Sequence, residues 1–178
     1  MKNPYEICPT LETENFILRL VLEEDSDGLL KCYSDNKAQK FFNADKCSGD
    51  FCIYKMEDML NCIRAWRYAY SQQNFIRFAV IDKSLFTAIG TVEMFGYVGK
   101  CKTKTGILRV DVSSEYENIR SLNEIFSVCN ENFFDLFEVD TIATKAIPQA
   151  TERRTALLKN SFCEGKSYEG EYYFIHSK

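Results

Sequence analysis

Gly106-Ile-Leu-Arg-Val-Asp-Val112 runs through Ser113-Ser-Glu-Tyr-Glu117 into Asn118-Ile-Arg-Ser-Leu122, and the change of period across this stretch decides the fold class. Leu108, Val110 and Val112 alternate with Ile107, Arg109 and Asp111, which is the two-residue period of a strand. Beyond the junction, apolar residues fall at Ile119, Leu122, Phe126, Cys129 and Phe133, the three- and four-residue spacing of a helix. A strand that feeds a helix N-terminus leaves several backbone N–H groups without helical partners. Those donors and the positive end of the helix dipole suit a pyrophosphate. Two caps compete for the start of the helix. Asn118 can cap directly, or Ser121 and Glu124 can form a capping box. Either choice aims amides of residues 118–122 into the loop.

Working outward, Phe16-Ile-Leu-Arg-Leu-Val-Leu22 reads as a strand, and the acidic run Glu23–Asp27 suits the start of a short helix carrying Leu29, Leu30 and Tyr33. Met56, Met59, Leu60, Ile63, Trp66 and Tyr70 form one stripe of a helix over about 55–70, a stripe that reads as core. Residues 75–81 and 87–95 form a hairpin around Asp82-Lys-Ser84. The polar stretch Gly96–Thr105 reads as an exposed loop. A strand over 139–147 stops at Pro148, a helix follows over 151–160, and Glu171–His176 reads as a last strand. The order predicts an α/β mixture in one domain over 1–178. Its sheet is mostly antiparallel, about four helices flank it, and one strand–helix–strand unit spans 106–147.

Composition narrows the function classes. A net charge of -4 argues against a nucleic-acid binder, whose affinity rests on neutralising phosphates. No apolar run approaches the ~18 residues of a membrane span, and the first residues lack the apolar core of a signal peptide. The eight cysteines show no C-x-x-C pair, and the lone histidine, His176, cannot complete a Cys/His metal cluster. Reduced, mostly buried thiols in a cytoplasmic protein are the expectation.

The arrangement as a whole resembles the GCN5-related N-acetyltransferase (GNAT) superfamily, in particular its branch of ribosomal-protein N-terminal acetyltransferases. Glu12-Thr-Glu-Asn-Phe-Ile-Leu-Arg-Leu-Val-Leu-Glu-Glu-Asp25 is similar to the opening of that branch. Phe78-Ala-Val-Ile-Asp82 with Ala88-Ile-Gly-Thr-Val92 resembles its middle hairpin, and Leu108–Tyr116 its strand running into S-x-x-Y. Thr151-Glu-Arg153 with Ala156–Phe162 is similar to its late helix. The likeness runs from about residue 12 to the end.

The resemblance implies acetyl-CoA as co-substrate, no metal, direct transfer of the acetyl group to a primary amine on a small molecule or protein N-terminus, and a monomer or homodimer. It places the pantetheine arm along Val110 and Val112, and the pyrophosphate on the loop at Asn118, Ile119, Arg120, Ser121 and Leu122. The family's Q/R-x-x-G-x-G/A loop is altered here to Glu117, Arg120 and Leu122. A carboxylate about 6 Å from a phosphate charge costs up to roughly 3 kcal/mol at an effective dielectric near 20, an amount Arg120 can return by folding over the phosphates. Asn118 is the residue best able to take a left-handed conformation in such a loop. The family's late-helix asparagine and serine fall on Ala150 and Arg153. There Arg153, Arg154 and Lys159 read as a solvated face or as phosphate contacts. Deprotonating an amine calls for a carboxylate near the cleft, for which Glu93 and Asp111 are the candidates, while Tyr168, Tyr172 and Tyr173 read as packing. The alternative is a degenerate member of the fold that binds an acyl-CoA or a partner without turnover.

Overall fold

The structure, a computed structural model, describes residues 3–45, 47, 49, 51–98, 104–165 and 170–178. Among these residues, eight strands form one sheet in the order β1-β2-β3-β4-β5-β6-β8-β7. They are β1 (Leu11–Glu12), β2 (Phe16–Leu20), β3 (Ile76–Asp82), β4 (Thr87–Val98), β5 (Lys104–Val112), β6 (Thr141–Lys145), β7 (Cys163–Glu164) and β8 (Tyr173–Ser177). Every adjacent pair is antiparallel except β5 with β6. Among the described residues five α-helices accompany the sheet: α1 (Ser26–Tyr33), α2 (Asn36–Gln39), α3 (Met56–Ser71), α4 (Ile119–Leu136) and α5 (Thr151–Lys159). The short elements α2, β1 and β7 are those that periodicity had no length to show. The expected loop over Gly96–Thr105 is overturned at both ends. Residues 96–98 pair with 104–106, because a long hairpin satisfies its polar backbone within the ladder; 99–103 lie outside the described residues.

Buried cores sit on both faces of the sheet. On one, α4 packs Leu122, Phe126, Cys129 and Phe133 against Phe78, Leu108, Val110 and Val112. The apolar stripe of α4 and the alternation of β5 meet there, and burial of each such side chain contributes about 1.5–3 kcal/mol. On the other face, Leu29, Cys32 and Tyr33 of α1 and Met59, Ile63 and Trp66 of α3 cover Ala79, Ile81 and Ala88. The α3 stripe is core, as expected. A bulge puts Ile89 between the pairs Val80↔Gly90 and Ile81↔Ala88, and Gly90 fits because an added Cβ would stand 2.1 Å from the Asp111 carbonyl oxygen.

What positions the site is the end of the parallel pair. β5 and β6 run together from Thr105↔Thr141 to Leu108↔Thr144 and then part. β6 finishes at Lys145 while β5 continues to Val112, so Arg109–Val112 lack a neighbour on that side. The cysteines are less buried than expected. Cys32 and Cys129 are in the core, Cys8, Cys47, Cys52 and Cys62 are half-buried and Cys163 is exposed, whereas Cys101, like Tyr168, lies outside the described residues.

Candidate functional site

The α4 N-terminus resolves the competition between caps. Asn118 is the N-cap, its side chain accepting from the Ser121 amide at 3.0 Å. Glu124 turns away to accept from the Asn15 backbone and side chain at 2.6 and 2.8 Å, so the capping box does not form. Asn118 has φ -129 and ψ 158: it is extended rather than left-handed, since an N-cap enters the helix from the β region.

Little of the anion site is left open. Ile119 N–H donates to Glu152 Oε2 at 2.9 Å, and Leu122 N–H to the Asn118 carbonyl at 3.0 Å. The Leu122 side chain lies in the core and Arg120 is exposed to solvent. Of the amides of 118–122, only those of Asn118 and Arg120 lack a partner among the described residues.

Arg153 occupies neither place expected for it. Its side chain is 1% exposed and lies in the gap where β5 leaves β6. Nη1 donates to the Val110 carbonyl at 2.7 Å, while Nε and Nη2 make a fork to the two oxygens of Glu117, each at 2.7 Å. Burial works against the cation, but Glu117 outweighs it and raises the Arg153 pKa above the ordinary arginine value. The fork explains the pairing of the altered Glu117 with the altered Arg153, since a buried guanidinium needs a carboxylate of matching geometry. Arg154 lies over the Phe174 ring and pairs with Glu164.

On the face covered by α3, a cavity of about 610 Å3 opens against β3, β4 and β5. Phe51, Trp66, Phe75 and Phe95 line it, and Arg77, Glu93 and Arg109 line it as a cross-strand row. The register sets that row, because Arg77 pairs with Glu93 and Glu93 with Arg109. Both arginines donate to Glu93, one to each oxygen. Arg77 stacks on Trp66 with 4.4 Å to the ring centroid. It also donates to Thr91 Oγ1 at 3.1 Å and Asp111 Oδ2 at 3.3 Å. Burial works against the Arg77 cation, yet Glu93, Tyr33 and Asp111 raise its pKa.

The two sequence candidates are therefore placed differently. Glu93 lines the cavity. Asp111 sits outside its wall, accepting from Tyr33 at 3.1 Å and from Arg77, and its Oδ1 has no partner among the described residues. Burial, only partly offset by Arg77 and Arg153, pushes the Asp111 pKa up.

Asp45 forms the β6 side of the cavity. Its carboxylate accepts from Lys145 Nζ at 2.7 and 2.8 Å and from the Tyr173 hydroxyl at 3.2 Å, and its carbonyl accepts from Arg109 at 2.8 Å. Tyr173 thus lines the site as well as packing, with its pKa raised by burial. Asp45, Arg77, Arg109 and Tyr173 were missed in the sequence. For Arg77 and Arg109 the available signal was charge inside the strand-forming runs Phe75–Ile81 and Gly106–Val112, where an unpaired charge is too costly to bury.

Comparison with known proteins places this architecture. The acetyltransferase of the GNAT family from Bacillus anthracis superimposes with a TM-score of 0.71 at 16% identity, covering 95% of this chain and 98% of that one. RimJ of Mycobacterium smegmatis, solved in complex with CoA-disulfide, gives 0.74 at 13% identity, covering 95% and 86%. The fold is that of the GNAT acetyltransferases. In sequence, YoaA, an uncharacterized N-acetyltransferase of Bacillus subtilis (strain 168), is 21% identical over 84 residues. That stretch takes in 47% of this chain and 44% of YoaA, less than half of the relative's length. No protein-family model matches the sequence.

Side chains of α5 occupy part of the groove expected for a coenzyme A arm. The Val110 carbonyl is taken by Arg153, the Ile119 amide by Glu152, and Val110 and Val112 are sealed from solvent. Among the described residues no group of three or more His, Cys, Asp or Glu side chains is placed to hold a metal ion, and no helix is long and apolar enough to cross a membrane.

Proposed function

We propose that the chain is an N-acetyltransferase that transfers an acetyl group from acetyl-CoA to a primary amine bound in the aromatic cavity. The observation that carries this reading is the parting of β5 from β6 beside a cavity lined by Glu93, within a fold shared with a protein that binds CoA as a disulfide. Glu93 is the carboxylate assigned to face the amine, and the two arginines on its oxygens keep it oriented. Asp111 supports Arg77 from behind. The walls supply apolar surface for the rest of the acceptor, either a small molecule or a peptide N-terminus, and burying them against it provides the binding energy.

The test is release of free thiol from millimolar acetyl-CoA across a panel of aromatic amines, aliphatic polyamines and peptides with free N-termini. Turnover with one class by the wild type, lost in a Glu93→Gln variant that remains folded at the assay temperature, is the expected result. Absence of thiol release with every class refutes the reading.

A further inference from the structure

The first turn of α5 does two things at once. Glu152 puts its carboxylate on the Ile119 amide at the α4 N-terminus, and Arg153 puts its guanidinium on the Val110 carbonyl at the free edge of β5. An anion on a helix N-terminus and a donor on an open strand edge are what an extended, pyrophosphate-bearing ligand would offer there. Here neighbouring residues of the chain supply both. The third member, Glu117, holds the Arg153 guanidinium from the other side through two bonds of 2.7 Å.

Arg153 and Glu117 are sealed in place. The Arg153 side chain is 1% exposed and that of Glu117 6%, and Asp45 ties Arg109 of β5 to Lys145 of β6 on the opposite face. A guanidinium with three good hydrogen bonds and a forked carboxylate is a stable occupant of a strand edge, not a side chain awaiting solvent. Moving it out leaves the Glu117 carboxylate buried without its partner, which is the costly way to break such a pair.

We propose that Arg153 is a built-in occupant of the β5–β6 groove, so that the folded chain is closed to CoA and its affinity is set by displacing this side chain. The inference rests on the proposed function only for the identity of the ligand. Apparent affinity is reduced by the fraction of molecules whose groove is open. Removing the occupant removes that penalty, so a change that deletes one of the groove's hydrogen bonds should increase affinity.

The experiment is calorimetric titration of CoA into the wild-type chain, Glu117→Gln/Arg153→Ser and Arg153→Lys. The double variant removes both buried charges and opens the strand edge; it should bind CoA at least about tenfold more tightly than wild type. Arg153→Lys keeps a cation beside Glu117 but loses the fork, and should fall between the two; it decides the matter if the double variant does not fold. Equal affinity in wild type and Arg153→Lys overturns the proposal, as does a double variant that folds and binds no more tightly than wild type. The proposed function is read separately, by thiol release from acetyl-CoA. Wild-type turnover with affinities unchanged by substitution leaves the acetyltransferase standing and removes the occupant. Tightened binding in the variants with no turnover in any form does the reverse.

Discussion

Replacing Arg77 by methionine isolates what the buried charge row contributes. The side chain is 1% exposed, and methionine keeps an unbranched apolar stem against Trp66, so the loss is mainly electrostatic. Two carboxylates are affected unequally. Glu93 keeps Arg109, but Asp111 loses the one cation within ion-pair distance among the described residues, Arg77 at 3.3 Å. At an effective dielectric near 20, unit charges at that separation interact by about 5 kcal/mol, and removing one partner of a buried pair typically costs about 3–5 kcal/mol. At roughly 2–4 °C per kcal/mol for a domain of this size, the melting temperature should fall by roughly 6–20 °C.

The sign of the pH dependence checks the cause. Burial already raises the Asp111 pKa, and a raised carboxylate contributes stability that is present below the unfolded value and lost as pH rises through the folded one. Without Arg77 the folded value rises further, so protonation relieves the variant. The Arg77→Met penalty, measured by urea unfolding, should therefore shrink from pH 7 to pH 5, and adding Asp111→Asn should recover most of it. A loss below about 1 kcal/mol, or one independent of pH and of Asp111, would show that packing rather than an orphaned charge holds the row.

Other changes test separate parts of the structure. His176, edge-on to Phe134 and Phe162, has its pKa pulled below the usual 6.5 by burial; as the only histidine it should give one NMR titration with a midpoint below 6.5. Because the folded state binds that proton less readily, stability should fall as pH drops below 6.5 toward the folded value, a slope that His176→Gln removes. Gly28→Ala gains about 1 kcal/mol of helix propensity, yet its Cβ would stand 2.2 Å from the Ala88 carbonyl oxygen. α1 must then lift from β4, and a net loss of at least about 1 kcal/mol in urea unfolding is expected. Among the cysteines, exposed Cys163 should react with a thiol reagent in the native state before Cys32 and Cys129, which need unfolding; mass spectrometry of labelled peptides reads the order.

The long elements were legible because one physical signal wrote each of them. The α4 stripe and the β5 alternation are each buried on one side, so period and burial agree, and both run close to the limits expected. The candidate site was legible only in part, because its geometry depends on pairings across the chain. Arg77, Glu93 and Arg109 are 16 residues apart in each step, and only the strand register turns three scattered charges into a row. The same holds for the groove. Read alone, Glu117 was a carboxylate misplaced beside a phosphate, and Arg153 was a cation on a solvated helix face or against a phosphate. Each reading assumed a partner outside the chain, ligand or water, rather than the other residue. The 36-residue separation that ended in a fork explains both departures by a single contact. Two substitutions of opposite charge, at positions that a family resemblance brings to one cleft, are thus better read first as partners for each other. Burial decides between the readings, since a solvated pair contributes little, while one sealed under α5 fixes the shape of the groove around it.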